Sequence, residues 1–275
     1  MTGVLSNFSG TIGLAGAGKM GGAMLAGWLE NGLDPKGVVL IDPAPPPEMA
    51  ELIASRGMTH VTAPPSDMKA AVIVVAVKPQ VADAVLPGLA GLVGPGTVVV
   101  SVAAGKTLER LEAGIGPAAI VRSMPNTPAQ VGRGITVAVA NGRVTTPQKV
   151  LVTALLAAVG KVEWVAEEAL IDAVTAVSGS GPAYVFHLVE AMAEAGRRAG
   201  LPDALAEKLA RATVEGAGEL LYQSPLDPAT LRKNVTSPNG TTAAALAVLM
   251  GEAGLQPIMD AAVAAAARRS RELAG

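Results

Sequence analysis

Short runs rich in Val and Ile recur between helical stretches up to residue 165 and then stop. That switch limits what the chain can fold into more than any other feature. The runs are TIGLA (11–15), VVLID (38–42), AVIVVAV (71–77), TVVVSVA (97–103), AIVRSM (119–124), GITVAVA (134–140) and KVEWV (161–165). Gly or Pro bounds each of them, as is usual for strands. The early runs are apolar throughout rather than alternating, which predicts strands covered on both faces. Strands alternating with helices predict an α/β architecture with a doubly wound parallel sheet. The proline-rich stretches Pro43–Pro47 and Pro64–Pro65 mark loops. Beyond residue 165 the pattern is helical only, over 167–177, 182–199, 203–223, 228–235, 240–252 and 256–273. Pro182, Pro202 and Pro257 fall near helix starts, where a missing N–H costs nothing.

Composition narrows the function. The 275 residues carry a formal charge of −2, only 16% are charged, and no basic run stands out, which argues against nucleic acid as a partner. Without cysteine there is no thiolate catalysis, disulfide or Cys-based zinc site. With His60 and His187 as the only histidines, a His-rich metal site is not expected either, and both read as structural or surface residues. The N-terminus lacks the basic start and long apolar stretch of a secretory signal, and the longest apolar runs are too short to span a bilayer. A cytoplasmic protein without a membrane partner is therefore expected. Aromatic residues make up 2%, so the core must be built from Ala, Val, Leu, Ile and Met. Small side chains each bury little surface, and an Ala-rich helical region then gains from a partner subunit.

The segment TIGLAGAGKMGGAM places Gly16, Gly18 and Gly21 in a G-x-G-x-x-G pattern after a strand and before a helix. Gly16 allows a tight turn, Gly18 lets the backbone approach a pyrophosphate, and Gly21 lets helix pack on strand. The second strand ends in Asp42, where an acidic residue meets the adenosine ribose. The expected organisation is a Rossmann-type dinucleotide-binding domain over 1–165 and an all-α domain over 166–275. AVKPQ (76–80) and SVAAGKT (101–107) follow the next strands, where ligands of such sheets bind. Their small residues leave room for a ribose and a nicotinamide ring. MPNTPAQVGRG (124–134) offers Asn126 and Thr127 on a stiffened loop; a structural turn would use the same residues.

A second site is suggested by VTSPNGTTAAALAVLM (235–250). The Ala/Leu half is an ordinary helix, but one Ser or Asn would have capped it. Asn239 and Gly240 can take unusual backbone angles, and Thr241 and Thr242 bring hydroxyls to the first turn. Exposed N–H groups there would bind a carboxylate, although a simple cap uses the same residue types. SGSGPAYVFHLVEAM, from Ser178, frees the backbone before Pro182; it reads equally as a helix-packing turn or a ligand contact.

Together GLAGAGKMGGAM, AVKPQ, SVAAG, MPNTP, EEALIDAVTAVSGSGPAY and NVTSPNGTTAAAL resemble pyrroline-5-carboxylate reductases over nearly the whole chain. The last segment matches the C-terminal signature of that family and is far more specific than the glycine loop. One departure is Asn239, where many members have Gly; Asn tolerates positive φ. The resemblance implies NAD(P)H-dependent reduction of 1-pyrroline-5-carboxylate to L-proline, the last step of proline biosynthesis. It implies a C-terminal dimerisation domain, with a homodimer or a higher ring of dimers. By position, Ala15, Gly16, Ala17, Gly18, Lys19 and Met20 would contact cofactor, as would Ala76, Val77, Lys78, Pro79, Val102, Ala103, Ala104 and Asn234. Glu168, Val235, Ser237, Gly240, Thr241 and Thr242 would contact substrate, with Thr242 placed at the chemistry.

If the imine binds protonated, hydride addition needs no proton transfer, in keeping with a sequence lacking an obvious His or Cys acid. Thr242 would then orient the ring nitrogen, while position and electrostatics carry the rate. Glu168 could favour a cationic nitrogen, or could be a solvated carboxylate at a helix start. The family leans to NADPH, whereas Asp42 leans to NADH, since its carboxylate would face the 2′-phosphate of NADPH. Other readings remain open on residues alone. One is a related two-domain β-hydroxyacid or imine dehydrogenase; those using hydroxyacids commonly need a helical lysine base, and Lys208 and Lys233 are the helical lysines here. A non-enzymatic nucleotide sensor would not need the second anion site.

Overall fold

The computed structural model describes residues 2–274. Eight strands form one sheet: β1 (Ile12–Ala15), β2 (Val38–Ile41), β3 (Thr59–Val61), β4 (Val72–Val75), β5 (Val98–Ser101), β6 (Ala119–Met124), β7 (Gly134–Ala140) and β8 (Gly160–Trp164). Their order is β3-β2-β1-β4-β5-β6-β7-β8. The reversal beside β1 is the topological switch point of a doubly wound sheet, where dinucleotides bind. The runs expected to be strands are strands. Two elements went unforeseen: the short helix α1 (Thr2–Ser6) and β3, a three-residue edge strand. The polar, largely exposed Thr-His-Val of β3 carries no apolar signal.

The sheet is not parallel throughout. β6 and β7 pair antiparallel, with Val121 opposite Ala140 and Met124 opposite Val137. The connection over residues 125–133 is too short for a parallel crossover, which takes a dozen or more residues. β7 and β8 are parallel again, joined through a longer helical crossover.

Alternate strand residues face opposite ways, so each central strand feeds two cores. One core packs Ile12, Leu14, Leu40, Val72 and Val100 against α2 (Lys19–Glu30), α3 (Pro47–Arg56) and α6 (Thr146–Ala157). The other packs Ile41, Ile73, Val75 and Val99 against α4 (Pro79–Leu89) and α5 (Leu108–Ile115). Trp28 of α2 is fully buried, and its indole N–H donates to the Leu155 carbonyl at 2.8 Å. Burying each large apolar side chain contributes about 1.5–3 kcal/mol.

The chain divides into two compact units. One runs up to Gly179 and regains the end of the chain from Ala267; the other is Ser180–Ala266. Strands end near residue 165, but α7 (Leu170–Val174) and the π-turn Thr175–Gly179 stay with the sheet. The reason is packing: Ile171 is 1% exposed and buried with Val137 and Val139 of β7. The helix expected over 167–177 is thus shorter and ends in π geometry.

The second unit contains α8 (Gly181–Arg198), α9 (Asp203–Gln223), α10 (Pro228–Asn234), α11 (Thr241–Leu249) and the first part of α12 (Leu255–Ala274). Among the described residues its buried hydrophobic side chains are Ala193, Ala206 and Ala210. Phe186, Leu220, Leu221, Val248 and Ile258 are each more than half exposed. Apolar faces of that extent mark an interaction surface. Among the described residues no helix is long and apolar enough to cross a membrane.

Candidate active site

The glycine loop is built by close approach. Gly16 has φ +96°, and a Cβ there would lie 2.7 Å from the Ala76 carbonyl oxygen. Its own N–H donates to the Ile41 carbonyl at 3.0 Å. A Cβ on Gly21 would strike the Gly16 carbonyl, so the first turn of α2 rests directly on the end of β1. Gly18 is different: nothing lies within 4 Å of a Cβ placed on it, and it caps α2 with no side-chain hydrogen bond. An open, uncapped helix start beside a switch point is a cradle for an anion, and the pyrophosphate of a dinucleotide fits it.

Three stretches expected at the cofactor lie side by side within the first unit. Ala76 N–H donates to Ala15 O at 2.8 Å, and Val102 N–H donates to Val75 O at 3.0 Å. Ala15–Met20, Ala76–Pro79 and Val102–Ala104 therefore line one carboxyl edge of the sheet. Lys78 caps α4, and Pro79 opens it. A cleft of ≈ 270 Å³ at this edge is lined by Pro79, Gln80, Ala104, Gly105 and Lys106, with Ser270 from the end of the chain.

A second cleft of ≈ 270 Å³ adjoins Gly16 and Asp42 and is walled by Pro43, Thr62, Pro64 and Val85. Its apolar walls and position suit an adenosine. Thr62 and Val85 were not expected as site residues. Their only signal was proximity to the Pro64–Pro65 loop and to the surface of α4.

Asp42 is held more firmly than its place in a loop suggests. Oδ2 accepts from Ala17 N–H at 2.7 Å, and Oδ1 accepts from Ala44 N–H at 2.9 Å. The side chain cannot swing away without breaking both bonds. An ionised carboxylate has about four acceptor positions, so one on each oxygen remains for a ribose hydroxyl. No Lys, Arg or His is among the residues lining this cleft.

Glu168 is not a solvated helix-start carboxylate. Oε1 accepts from Arg122 Nη1 at 2.7 Å and from Leu108 N–H at 2.8 Å. The Arg122 side chain is 6% exposed and that of Glu168 29%. Arg122 sits in the middle of β6, in a run that reads as apolar, and no local pattern marks it as a site residue.

In the second unit, Asn234 ends α10 and Val235 follows, 67% exposed. Gly240 N–H donates to Ser237 O at 3.1 Å, closing a tight turn over Pro238 and Asn239. Asn239 has φ +58°, the left-handed geometry its side chain tolerates, with Pro at the preceding corner. Gly240, which can take unusual backbone angles, does not use that freedom: φ is −80° and ψ 173°. The fit there is close: a Cβ would displace the Ser237 hydroxyl and lie 3.2 Å from the Ser237 carbonyl oxygen. Gly240 caps α11 without a side-chain hydrogen bond, leaving Thr241 and Thr242 at an uncapped first turn. Lys233 lies in the last turn of α10, and Lys208 in α9.

Two family models match. One is described as pyrroline-5-carboxylate reductase dimerisation and covers residues 168–273. The other, an NADP oxidoreductase of the coenzyme F420-dependent type, covers residues 11–105. A pyrroline-5-carboxylate reductase of Synechocystis is 43% identical over 95% of this chain and 97% of its own. That of Pisum sativum is 38% identical over 96% of each chain. Among solved structures, a pyrroline-5-carboxylate reductase from Coxiella burnetii superposes with a TM-score of 0.89 at 34% identity, covering 98% of this chain and all of that one. A Plasmodium falciparum pyrroline carboxylate reductase, solved with NADP bound, gives 0.79 at 27% identity over 97% and 99% of the two chains. With its doubly wound cofactor fold, the Ser237–Thr242 turn and relatives matched nearly end to end, the chain belongs to the pyrroline-5-carboxylate reductase family.

Proposed function

We infer that the protein carries out the reaction of its family with the residues described above. It is an oxidoreductase acting on a C=N bond, reducing 1-pyrroline-5-carboxylate to L-proline in proline biosynthesis. Its cofactor is a nicotinamide dinucleotide. When bound, the reduced nicotinamide supplies hydride for the imine carbon. The glycine loop receives the pyrophosphate, and Asp42 the adenosine ribose. Ala76–Pro79, Val102–Ala104 and Asn234 contact the remainder of the cofactor. The uncapped start of α11 receives the substrate carboxylate, flanked by Val235, Ser237, Gly240 and Thr241. Thr242 donates or accepts a hydrogen bond at the ring nitrogen. A threonine hydroxyl is too weak an acid to be the main proton source, so the substrate binds as its protonated iminium. Glu168 is assigned to the substrate by position, and Arg122 holds its carboxylate in place.

In this reading residues 1–165 serve the cofactor, and 166–275 serve the substrate and the assembly and add Asn234 to the cofactor contacts. The protein is a homo-oligomer, through the segment matching the dimerisation model; we propose dimers or rings of dimers, and a cytoplasmic location. NADH is a competent donor, because the anchored Asp42 carboxylate meets a 2′-phosphate with no cation in the cleft to offset it.

The observation that carries the substrate assignment is the uncapped α11 start behind the Ser237–Gly240 turn. Absorbance of the reduced nicotinamide tests it. Loss of absorbance should require 1-pyrroline-5-carboxylate. Folded protein that turns over with neither NADH nor NADPH would overturn the reading.

A further inference from the structure

Every polar group of Asp42 is engaged. Besides the two carboxylate bonds, its N–H donates to the Val61 carbonyl at 3.0 Å, extending the β2–β3 ladder. Its carbonyl oxygen lies 2.8 Å from His60 Nε2. A carbonyl only accepts, so Nε2 carries the proton and donates. His60 pairs with Leu40 in the register of β3 on β2 and reaches across the next strand position to the end of β2.

The loop after Asp42 gives that bond weight. Asp42 is followed by Pro43-Ala44-Pro45-Pro46-Pro47. Proline has no N–H, so Ala44 supplies the one backbone donor of that stretch, and it is spent on Asp42 Oδ1. The loop cannot hold the Asp42 peptide by donating hydrogen bonds of its own. Nothing else described fixes the carbonyl at the Asp42–Pro43 junction. If the peptide plane tips, Ala44 N–H moves off Oδ1, and the carboxylate keeps only its bond from Ala17 N–H to hold it where a ribose would meet it.

We propose that His60 is a positioning residue for cofactor discrimination: by donating from Nε2 to the Asp42 carbonyl it holds the Asp42 carboxylate toward the adenosine ribose, favouring NADH over NADPH. The proposal rests on the reading of Asp42 as the ribose ligand. His60 acts through Asp42 and touches neither cofactor nor substrate. Its effect must therefore be selective. A dinucleotide with a free 2′-hydroxyl loses a well-placed partner when Asp42 loosens. One with a 2′-phosphate loses a repulsion.

Calorimetric titration of NADH and NADPH, without substrate, into wild type, His60→Ala, His60→Gln and Asp42→Ser tests this independently of turnover. His60→Ala should weaken NADH by roughly three- to tenfold, the range of one hydrogen bond. It should leave NADPH unchanged or tighter. His60→Gln keeps an amide donor on the side chain and should recover most of the NADH affinity. Equal weakening of both cofactors by His60→Ala, or an unchanged ratio while Asp42→Ser shifts it, would overturn the role of His60. An unchanged ratio in Asp42→Ser as well would overturn the ribose assignment itself.

Discussion

The Arg122–Glu168 pair makes an asymmetric prediction about stability. The Arg122 side chain is 6% exposed, whereas Glu168 keeps 29% of its surface in water. Removing one member leaves the other in its own surroundings, and those surroundings differ. Glu168→Ala strands a guanidinium inside the sheet and also deprives Leu108 N–H, at the start of α5, of its acceptor. Loss of a buried partner costs about 3–5 kcal/mol when the remaining charge has no water. We expect the lower end, about 3 kcal/mol, because the site opens partly on the Glu168 side. Arg122→Met fills much of the same volume with an apolar chain and leaves Glu168 with Leu108 N–H and some solvent. The cost should be about 1–2 kcal/mol, the value of one charge-assisted hydrogen bond discounted for exposure.

Thermal unfolding at one protomer concentration provides the assay, since assembly makes the melting temperature concentration-dependent. For a chain of this size each kcal/mol moves the midpoint by about 2–4 °C. Glu168→Ala should therefore fall by about 6–12 °C and Arg122→Met by about half that. The double variant should be more stable than the sum of the two losses implies, because the second change removes an already orphaned group. Equal losses, additive in the double variant, would refute the argument that exposure sets the penalty.

Asp42→Ser should move the kcat/KM ratio toward NADPH by at least tenfold, about 1.4 kcal/mol; both cofactors must be titrated at one ionic strength, and an unmoved ratio removes Asp42 from the ribose. Thr242→Ala should lower kcat/KM by roughly 10–100-fold, the range of one or two lost hydrogen bonds, with dinucleotide affinity retained; full activity would reduce this threonine to the first residue of a helix turn. Asp83 has its carboxyl held below the ordinary 3.8 by the Arg110 hydrogen bond and then by Lys106. A lowered native pKa stabilises above the unfolded value and the benefit disappears as pH falls through the native one. Wild type should thus melt above Asp83→Asn at neutral pH and lose that margin in acid; a margin that persists in acid would contradict this. Light scattering at micromolar concentration should show at least twice the 27.4 kDa subunit mass, and a lone subunit would leave the exposed Phe186 and Leu220 faces without a partner.

Much of this protein was legible from residue order alone, where the cause is local. Val-rich runs between Gly and Pro became strands because short, β-branched, uninterrupted apolar stretches fit strands covered on both faces. The G-x-G-x-x-G loop could be assigned because a strand that turns tightly into a helix packed on its end leaves no room for a Cβ at Gly16 or Gly21. Asn239 was expected to tolerate positive φ, and it adopts it. Tertiary structure alone decided matters that depend on chain segments meeting. It set β7 antiparallel to β6, and it placed α7 with the sheet. It turned Glu168 from a nominal helix-start acid into the partner of an arginine 46 positions earlier. It put Gly240 in extended backbone against the Ser237 hydroxyl, with no need of an unusual angle. It also tied Asp42 to Ala17, 25 positions away, and to His60, 18 away. Local propensity reads a few residues at a time, whereas a buried charge or an anchored carboxylate is defined by which distant groups satisfy it.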